Sequence, residues 1–246
     1  MKLLILGGNG MIGHTLLERM MKFHNVKATL KKNFNEYHSM RITDENYYID
    51  DIDVLDFNKL EFVIKKNLPE VIINAIGISK QRILDYNKKD VEIINSLFPH
   101  KLAKLCKSLS IKLIHLSTDC VFSGKKGFYT LDDEPDAEDL YGVSKYKGEI
   151  NDASALTIRK STIGFEINYK KGLLEWFIKQ TGHVDGYKNA IFSGITTLEF
   201  AKVLLYLLEK KIDLSGVYHI STKPIDKHTL LNIIKDKLEL DTILIR

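Results

Sequence analysis

The sequence predicts an α/β fold with a doubly wound parallel sheet and a small C-terminal region, and three observations predict it. An apolar run at residues 2–6 leads into a glycine-rich turn and then into a helical pattern. Apolar runs of strand length then alternate with helical patterns as far as residue 160, which is typical of a parallel sheet covered by helices. Beyond residue 160 this alternation loosens, so we expect residues 161–246 to form a smaller lid region.

Composition narrows the class of protein. A chain of 246 residues with 44% hydrophobic and 28% charged residues is long enough to bury a large core. The net charge is +4, but the lysines occur in scattered pairs, which favours a solvated surface over a nucleic-acid interface and also suits an anionic ligand. The two cysteines indicate neither a disulfide framework nor a metal site, and no apolar run is long enough for a membrane span. We predict a cytoplasmic protein without nucleic-acid partners or membrane insertion.

The glycine-rich turn at the N-terminus predicts a dinucleotide site of Rossmann type. Gly7, Gly10 and Gly13 fit the spacing Gly-x-x-Gly-x-x-Gly, and they lie between a predicted strand and a predicted helix. Small residues let the backbone approach a pyrophosphate, while the first amides of the helix donate to it. The predicted cofactor-binding residues here are Gly7, Gly10, Met11, Ile12 and Gly13.

The residues after the second and third strands indicate which dinucleotide binds. A strand at residues 26–30 is followed by Lys31 and Lys32, where an NAD-binding protein usually has an acidic residue. Two cations at this place suit a 2′-phosphate, so we predict NADPH, with NADH as the alternative. Asp53 and Val54 follow the third strand and are predicted to contact the adenine. For Asp53, a solvated surface aspartate is an equally good interpretation.

Two further segments are predicted to adjoin the cofactor. The strand that begins at Val71 ends in a small-residue turn with Asn74, Ala75 and Gly77, where the backbone would pass close to the cofactor ribose. Asn95 lies among apolar positions of a predicted helix over residues 90–109 and needs buried partners. It either packs as a structural residue or hydrogen-bonds backbone and water near a catalytic lysine.

A Tyr-x-x-x-Lys motif supplies the candidate catalytic pair. Tyr141 and Lys145 are one helical turn apart, and an ammonium beside a phenol would favour the phenolate and lower its pKa. Thr118 follows the strand at residues 111–116, at the sheet edge where ligands bind in open α/β sheets. Its hydroxyl would join Tyr141 in binding a carbonyl oxygen, and Cys120 and Phe122 follow directly.

Taken together, these motifs resemble the extended short-chain dehydrogenase/reductase superfamily and, within it, the dTDP-4-dehydrorhamnose reductase family. The likeness rests on residues 7–13, the helix that carries Asn95, residues 117–124, and residues 141–145 with the trailing Gly148 and Glu149. It is specific over residues 1 to about 160 and looser beyond. It implies an NAD(P)-binding Rossmann domain at residues 1–160 and a substrate-binding or lid region at residues 161–246.

The resemblance implies an NADPH-dependent reduction of the 4-keto group of a nucleotide-linked 4-keto-6-deoxy sugar, in the synthesis of surface polysaccharide precursors. Tyr141 would give a proton to the C4 oxygen and Thr118 would hydrogen-bond that oxygen. Lys145 would lower the tyrosine pKa and hold the nicotinamide ribose, with Asn95 as the fourth catalytic residue. The substrate contacts would be Thr118, Cys120, Phe122 and Tyr141. The assembly is left open, with a homodimer as one form.

Two departures from the family keep alternatives open. Cys120 stands where the rhamnose enzymes usually have tyrosine, and it follows Thr118 by two residues, as the epimerase cysteine of GDP-fucose synthases follows its serine. A combined epimerase/reductase with Cys120 as base, with His183 as a conceivable partner, is therefore one alternative. A non-catalytic, NADP-binding regulatory subunit is another. The chain is also short for the family, so its C-terminal region is either complete in a trimmed form or truncated.

Overall fold

A computed structural model describes residues 1–246 and confirms the α/β prediction. Seven parallel strands form one sheet: β1 (Lys2–Leu6), β2 (Asn25–Thr29), β3 (Tyr48–Ile49), β4 (Val71–Asn74), β5 (Lys112–Leu116), β6 (Leu156–Arg159) and β11 (Gly216–His219). Their order across the sheet is β11-β6-β5-β4-β1-β2-β3. The strand order reverses between β4 and β1, and α/β sheets bind ligands at such a switch point.

Helices cover both faces of the sheet. They are α1 (Met11–Met20), α2 (Phe57–Asn67), α3 (Lys88–Val91), α4 (Phe98–Ser108), α5 (Leu140–Lys147), α6 (Leu173–Phe177), α7 (Thr197–Glu209) and α8 (Lys227–Lys237). One core cluster joins the sheet to α1 and α7, and a second joins the other face to α2 and α4. The central strands are buried on both faces, which explains why they read as continuous apolar runs rather than alternating ones. None of the helices has the length and apolarity needed to cross a bilayer.

The predicted helix over residues 90–109 forms, but it is not a uniform α-helix. Residues Glu92–Leu97 adopt a π-helical turn between α3 and α4, and Asn95 lies within it. Such turns interrupt the regular hydrogen-bond ladder and are often found at functional sites. The sequence gives no sign of this turn, because its residues have ordinary helical spacing.

The C-terminal third contributes to two structures. Helix α7 packs on α1, and β11 pairs with β6, so both complete the main fold although they follow residue 160. The rest contains α6, α8 and three small two-stranded sheets: β7 (Thr162–Ile163) with β10 (Ile195–Thr196), β9 (Ile191–Phe192) with β12 (Ile225–Asp226), and β8 (Gly182–Val184) with β13 (Ile243–Ile245). The division predicted at residue 160 therefore does not coincide with an edge of the main sheet.

Candidate active site

The glycine loop between β1 and α1 forms a tight turn. Gly7 has a left-handed φ of +89°, and its amide donates to Thr29 Oγ1 at 3.2 Å. A Cβ at Gly13 would lie 2.0 Å from the Gly7 carbonyl oxygen, so the first turn of α1 approaches the loop more closely than any other residue type permits. No side chain caps the N-terminus of α1. Its first amides are therefore available to an anion such as a phosphate.

A cavity opens beside this loop at the carboxyl ends of β1, β2 and β4. Of the predicted cofactor-binding residues, it is lined by Gly7, Gly10, Lys31, Asp53, Val54, Ala75 and Gly77. Met11, Ile12 and Gly13 form the first turn of α1, and Lys32 and Asn74 also lie outside the lining. Residues that the motifs did not indicate complete it, among them Asn9, Thr29, Arg82, Tyr86 and Tyr169.

The two predicted 2′-phosphate lysines have different surroundings. Lys31 lines the cavity and pairs with Asp53 at 3.0 Å, whereas Lys32 pairs with Glu36 at 3.0 Å on the surface. The carboxylate of Asp53 also accepts from the Leu55 amide at 3.1 Å. Of the two lysines, Lys31 is thus the one that a phosphate in this cavity would meet, and Asp53 already has a partner there.

Asn74 supports the turn after β4 from within. It is fully buried, its carbonyl oxygen accepts from the Ile76 amide at 3.1 Å, and its amide nitrogen contacts His115 Nδ1 at 3.1 Å. A side chain used in this way shapes the turn and has no surface for a ligand. The contact with the cofactor remains a prediction for Ala75 and Gly77, which line the cavity.

Thr118 and Tyr141 meet at the carboxyl end of β5. Thr118 is 6% exposed and begins a short 3₁₀ turn, where its hydroxyl accepts from the Cys120 amide at 3.1 Å. Tyr141 lies in the first turn of α5, whose N-terminus is capped by Asp139. Burial raises the pKa of the Tyr141 phenol, and a hydrogen bond with the Thr118 side chain acts in the opposite direction. The two hydroxyls predicted to bind one carbonyl oxygen are therefore neighbours.

The expected effect of Lys145 on the pKa of Tyr141 is not what the structure shows. The Lys145 ammonium is buried and donates to the Leu116 carbonyl oxygen at 2.9 Å. The acidic groups around the phenol, the Cys120 thiol and the carboxyls of Asp119 and Asp139, raise its pKa further. The two residues are one turn apart in α5, and the long lysine side chain reaches the last residue of β5.

Asn95 links α5, the helix that carries Tyr141 and Lys145, to the turn after β4. Its side chain accepts from the Ile78 amide at 2.8 Å, donates to the Ile78 carbonyl at 3.1 Å and donates to Ser144 Oγ at 3.1 Å. A Cβ at Gly148 would lie 1.9 Å from the Asn95 carbonyl oxygen, so α5 packs directly on the π-helical turn. Its hydrogen bonds go to Ile78 and Ser144, which places Asn95 as a brace behind the predicted catalytic pair.

Lys160, which the motifs did not indicate, is a second buried cation at this end of the sheet. It is 5% exposed, donates to Thr162 Oγ1 at 2.6 Å and lies 4.7 Å from the centre of the Phe200 ring. Burial and the charge of Lys145 lower the pKa of Lys160 to about 7. Burial also lowers the pKa of Lys145 to about 8. Perturbed lysines of this kind cluster at functional sites.

A buried ion pair lies under the predicted substrate residue Phe122. Arg159 donates to the Glu149 carboxylate at 2.7 to 3.1 Å, and Ser117 Oγ donates to the same carboxylate at 2.6 Å. The Arg159 guanidinium lies 5.1 Å from the centre of the Phe122 ring, which stacks on Tyr129 at 4.3 Å. Phe122 is therefore held in place by a cation below and an aromatic ring from the loop before α5.

Comparison with known proteins identifies the family. The family model for the RmlD substrate binding domain matches residues 1–245. This chain belongs to the RmlD family. The resemblance that the glycine loop, the Thr118 segment and the Tyr-x-x-x-Lys motif predicted is thereby confirmed.

Relatives within and around the RmlD family match part of the chain. A probable low-salt glycan biosynthesis reductase, Agl14, of Haloferax volcanii is 27% identical over 146 residues, which are 59% of this chain and 46% of that protein. The dTDP-4-dehydrorhamnose reductase of Mycolicibacterium smegmatis is 28% identical over 151 residues, covering 60% and 40% of the two chains. The matched region thus spans less than half of the length of either relative.

Solved structures share the fold over the whole chain. The crystal structure of a hypothetical dTDP-4-dehydrorhamnose reductase from Sulfolobus tokodaii has a TM-score of 0.79 at 28% identity, covering 100% of this chain and 86% of the other. A dTDP-4-dehydrorhamnose reductase from Bacillus anthracis, in complex with NADP, has the same fold with a TM-score of 0.78 at 20% identity, covering 99% and 84%.

In this RmlD-family site, the Cys120 thiol is not a ready base. Burial raises the pKa of its thiol, and the neighbouring Asp119 raises it further. A protonated thiol is a poor base near neutral pH. His183, the conceivable partner, lies in the exposed strand β8, which pairs with β13.

Proposed function

We propose that this protein reduces the 4-keto group of a nucleotide-linked 4-keto-6-deoxy sugar with NADPH. One observation carries the proposal: Gly77 lies between the glycine-loop cavity and the residues around Lys145. It lines the glycine-loop cavity, and a Cβ there would lie 3.6 Å from Lys145 Nζ and 3.5 Å from Asn95 Oδ1. A dinucleotide in the cavity would therefore end beside the lysine that accompanies Tyr141 and Thr118.

The residues of the cavity fit a phosphate-bearing dinucleotide. The Gly7–Gly13 contact leaves no room for a Cβ, and the uncapped amides of α1 adjoin it. Lys31 supports NADPH rather than NADH, because its ammonium would pair with a 2′-phosphate at the end of β2. When bound, the nicotinamide supplies the hydride.

The chain itself supplies the proton and the positioning. Tyr141 gives a proton to the carbonyl oxygen, and Thr118 donates a hydrogen bond to the same oxygen, so developing negative charge is met by two hydroxyls. The raised pKa of Tyr141 keeps the phenol protonated, so the proton is present when negative charge develops on the carbonyl oxygen. Lys145 holds a positive charge near this oxygen and binds the nicotinamide ribose. Asn95 positions α5, and Cys120 and Phe122 contact the sugar.

The reductase names among the relatives support this assignment. The dTDP-4-dehydrorhamnose reductase of Mycolicibacterium smegmatis and a dTDP-4-keto-6-deoxy-D-glucose reductase of Streptomyces niveus both match the chain, at 28% identity each. The NADP complex of the Bacillus anthracis enzyme supports NADPH as the cofactor. A soluble nucleotide sugar as substrate fits a cytoplasmic protein, and a homodimer remains a prediction that sedimentation would test.

A binding subunit without activity is the second candidate. The methionine adenosyltransferase 2 subunit beta of Bos taurus is 23% identical over 150 residues, which are 60% of this chain. The presence of Thr118, Tyr141 and Lys145 favours the enzyme. The raised pKa of Cys120 weighs against the alternative in which that thiol acts as an epimerase base.

The test is NADPH oxidation, followed by absorbance, with a panel of 4-keto nucleotide sugars. We expect turnover with at least one sugar, and Tyr141→Phe is expected to lower kcat about 10²- to 10⁴-fold while NADPH still binds. Tyr146→Phe, an exposed tyrosine of the same helix, is the matched control and should retain activity. Binding of NADPH without turnover across the panel would favour the binding subunit instead.

A further inference from the structure

Arg82 lies in the glycine-loop cavity and is held there by two aromatic side chains. Its guanidinium lies 3.5 Å from the centre of the Tyr169 ring and 5.1 Å from that of Tyr86. One of its terminal nitrogens donates to the Tyr86 hydroxyl at 2.6 Å. A planar cation stacked in this way has a fixed orientation, because rotation would break both ring contacts and the hydrogen bond.

The hydrogen-bonding capacity of Arg82 is largely unused. The guanidinium has five N–H donors, and its Nε is buried without a hydrogen-bond partner. The nearest carboxylate, that of Asp85, lies 3.8 Å from Nε, beyond hydrogen-bond distance, and both oxygens of Asp85 accept from Lys171 at 2.8 and 2.9 Å. The cavity thus contains an oriented cation whose neighbouring anion is already paired with another residue.

The position of Arg82 along the cavity is set by the segment that supplies Tyr169. The preceding residue, Asn168, donates its side-chain amide to the Asn9 carbonyl of the glycine loop at 3.1 Å. Residues 168–171 therefore cross from the glycine loop to the turn that carries Arg82 and Asp85. Tyr169, on which the Arg82 guanidinium stacks, thus directly follows a residue bonded to the loop, and Lys31 and Asp53 line the same cavity after β2 and β3.

We propose that Arg82 binds the diphosphate of a dinucleotide in this cavity, with Tyr86 and Tyr169 holding the guanidinium in place. A forked, charged donor is the group that matches paired phosphate oxygens. The glycine loop supplies backbone amides to the same diphosphate, so Arg82 adds the positive charge that this loop lacks. The inference rests on the proposed function only in that both require a dinucleotide here.

The test is the dissociation constant measured by calorimetry for NADPH, NADH and dTDP with the full-length protein. We expect Arg82→Gln to weaken NADPH and NADH by the same factor, roughly 10- to 100-fold, as expected when a charge-assisted hydrogen bond is lost. Binding of dTDP should not change. Lys104→Gln removes an exposed cation of α4 outside the cavity lining and is the control for net charge, with unchanged binding expected.

The other outcomes overturn the assignment. Weaker binding of NADPH alone would assign Arg82 to the 2′-phosphate. Weaker binding of dTDP alone would assign it to the diphosphate of the substrate. Unchanged binding of all three ligands would show that Arg82 is a packing residue. Tyr169→Leu changes a half-exposed side chain and serves where Arg82→Gln does not fold; it should weaken both dinucleotides severalfold, and unchanged affinity would contradict the proposal. If the wild-type protein binds neither dinucleotide, the proposed function and the assignment of Arg82 both fail. If it binds them and Arg82→Gln leaves their affinities unchanged, only the assignment of Arg82 fails.

Discussion

Two clusters of buried charge lie at the carboxyl ends of β5 and β6, and they are arranged in opposite ways. In the first, Glu149 and Arg159 form an ion pair in which both side chains are less than one-tenth exposed, at 4% and 7%. Ser117 donates to the same carboxylate. In the second, Lys145 and Lys160 are both buried cations, and neither forms an ion pair.

The difference separates a structural charge from a functional one. A buried charge with a matched partner and satisfied hydrogen bonds costs little to keep and fixes the geometry around it. A buried charge without a partner destabilises the fold and shifts its own pKa, which a protein retains where that charge is used. We therefore propose that the Glu149–Arg159 pair holds Phe122 and the strand ends, and that Lys145 serves the proposed reaction.

The largest expected effect is on the matched pair. Glu149→Gln leaves Arg159 buried without a countercharge, so the free energy of unfolding should fall by about 3 to 5 kcal/mol. Denaturant unfolding at neutral pH measures this. Glu138→Gln is the matched control, because its ion pair with Lys125 is mostly exposed and such pairs contribute little to stability. Equal losses in the two variants would contradict the distinction between the clusters.

A smaller loss of stability is expected from the hydroxyl that completes the pair. Ser117 Oγ donates to Glu149 at 2.6 Å, a bond to an ionised acceptor. Ser117→Ala should lower the free energy of unfolding by about 1.5 to 3 kcal/mol. If Ser117 acts only through Glu149, the loss should shrink when Ser117→Ala is made in the Glu149→Gln background, because the glutamine amide oxygen is a weaker, uncharged acceptor. Full additivity of the two substitutions would show that the hydroxyl acts elsewhere.

The sequence predicted those parts of the fold whose signals are local. The central strands and α2 follow from apolar runs and helical spacing. The start of α7 is also a local feature, because Thr196 caps it by accepting from the Glu199 amide at 3.1 Å. The glycine loop was recognisable because its spacing and its flanking elements agree. In each case the residues that decide the structure are neighbours in the chain.

The remaining features depend on residues far apart in the chain. Tyr169 joins Arg82 in the cavity, and Lys160 is buried because α7 packs Phe200 against it. The small sheets have strands of two or three residues, too short for any periodicity to appear. The Tyr-x-x-x-Lys motif alone did not predict where the Lys145 ammonium lies, since its position depends on the Leu116 carbonyl of β5. Tertiary contacts decide these features, and no single segment encodes them.

The unmatched cluster should respond to substitution with the opposite sign. Lys160→Met removes a buried cation and should raise the free energy of unfolding by about 1 to 2 kcal/mol at pH 6. The pKa of Lys160 is lowered to about 7, so the unfolded chain holds the extra proton between pH 7 and 10 and the wild type becomes more stable there. The advantage of the variant should therefore shrink as the pH rises to 10. A constant difference would show that the pKa of Lys160 is the same in the folded and the unfolded protein.

The smallest effect links the two lysines to the proposed reaction. Burial lowers the pKa of Lys145 to about 8, so the ammonium is lost above that pH and kcat/KM for the 4-keto sugar should fall about tenfold per pH unit. Lys160 has the lower pKa, about 7, and is mostly neutral where Lys145 loses its proton, so Lys160→Met should leave this decline in place. Lys147→Met, an exposed lysine of α5, is the matched control and should leave it in place as well. An upward shift in Lys160→Met alone would show that Lys160 is still charged when Lys145 titrates.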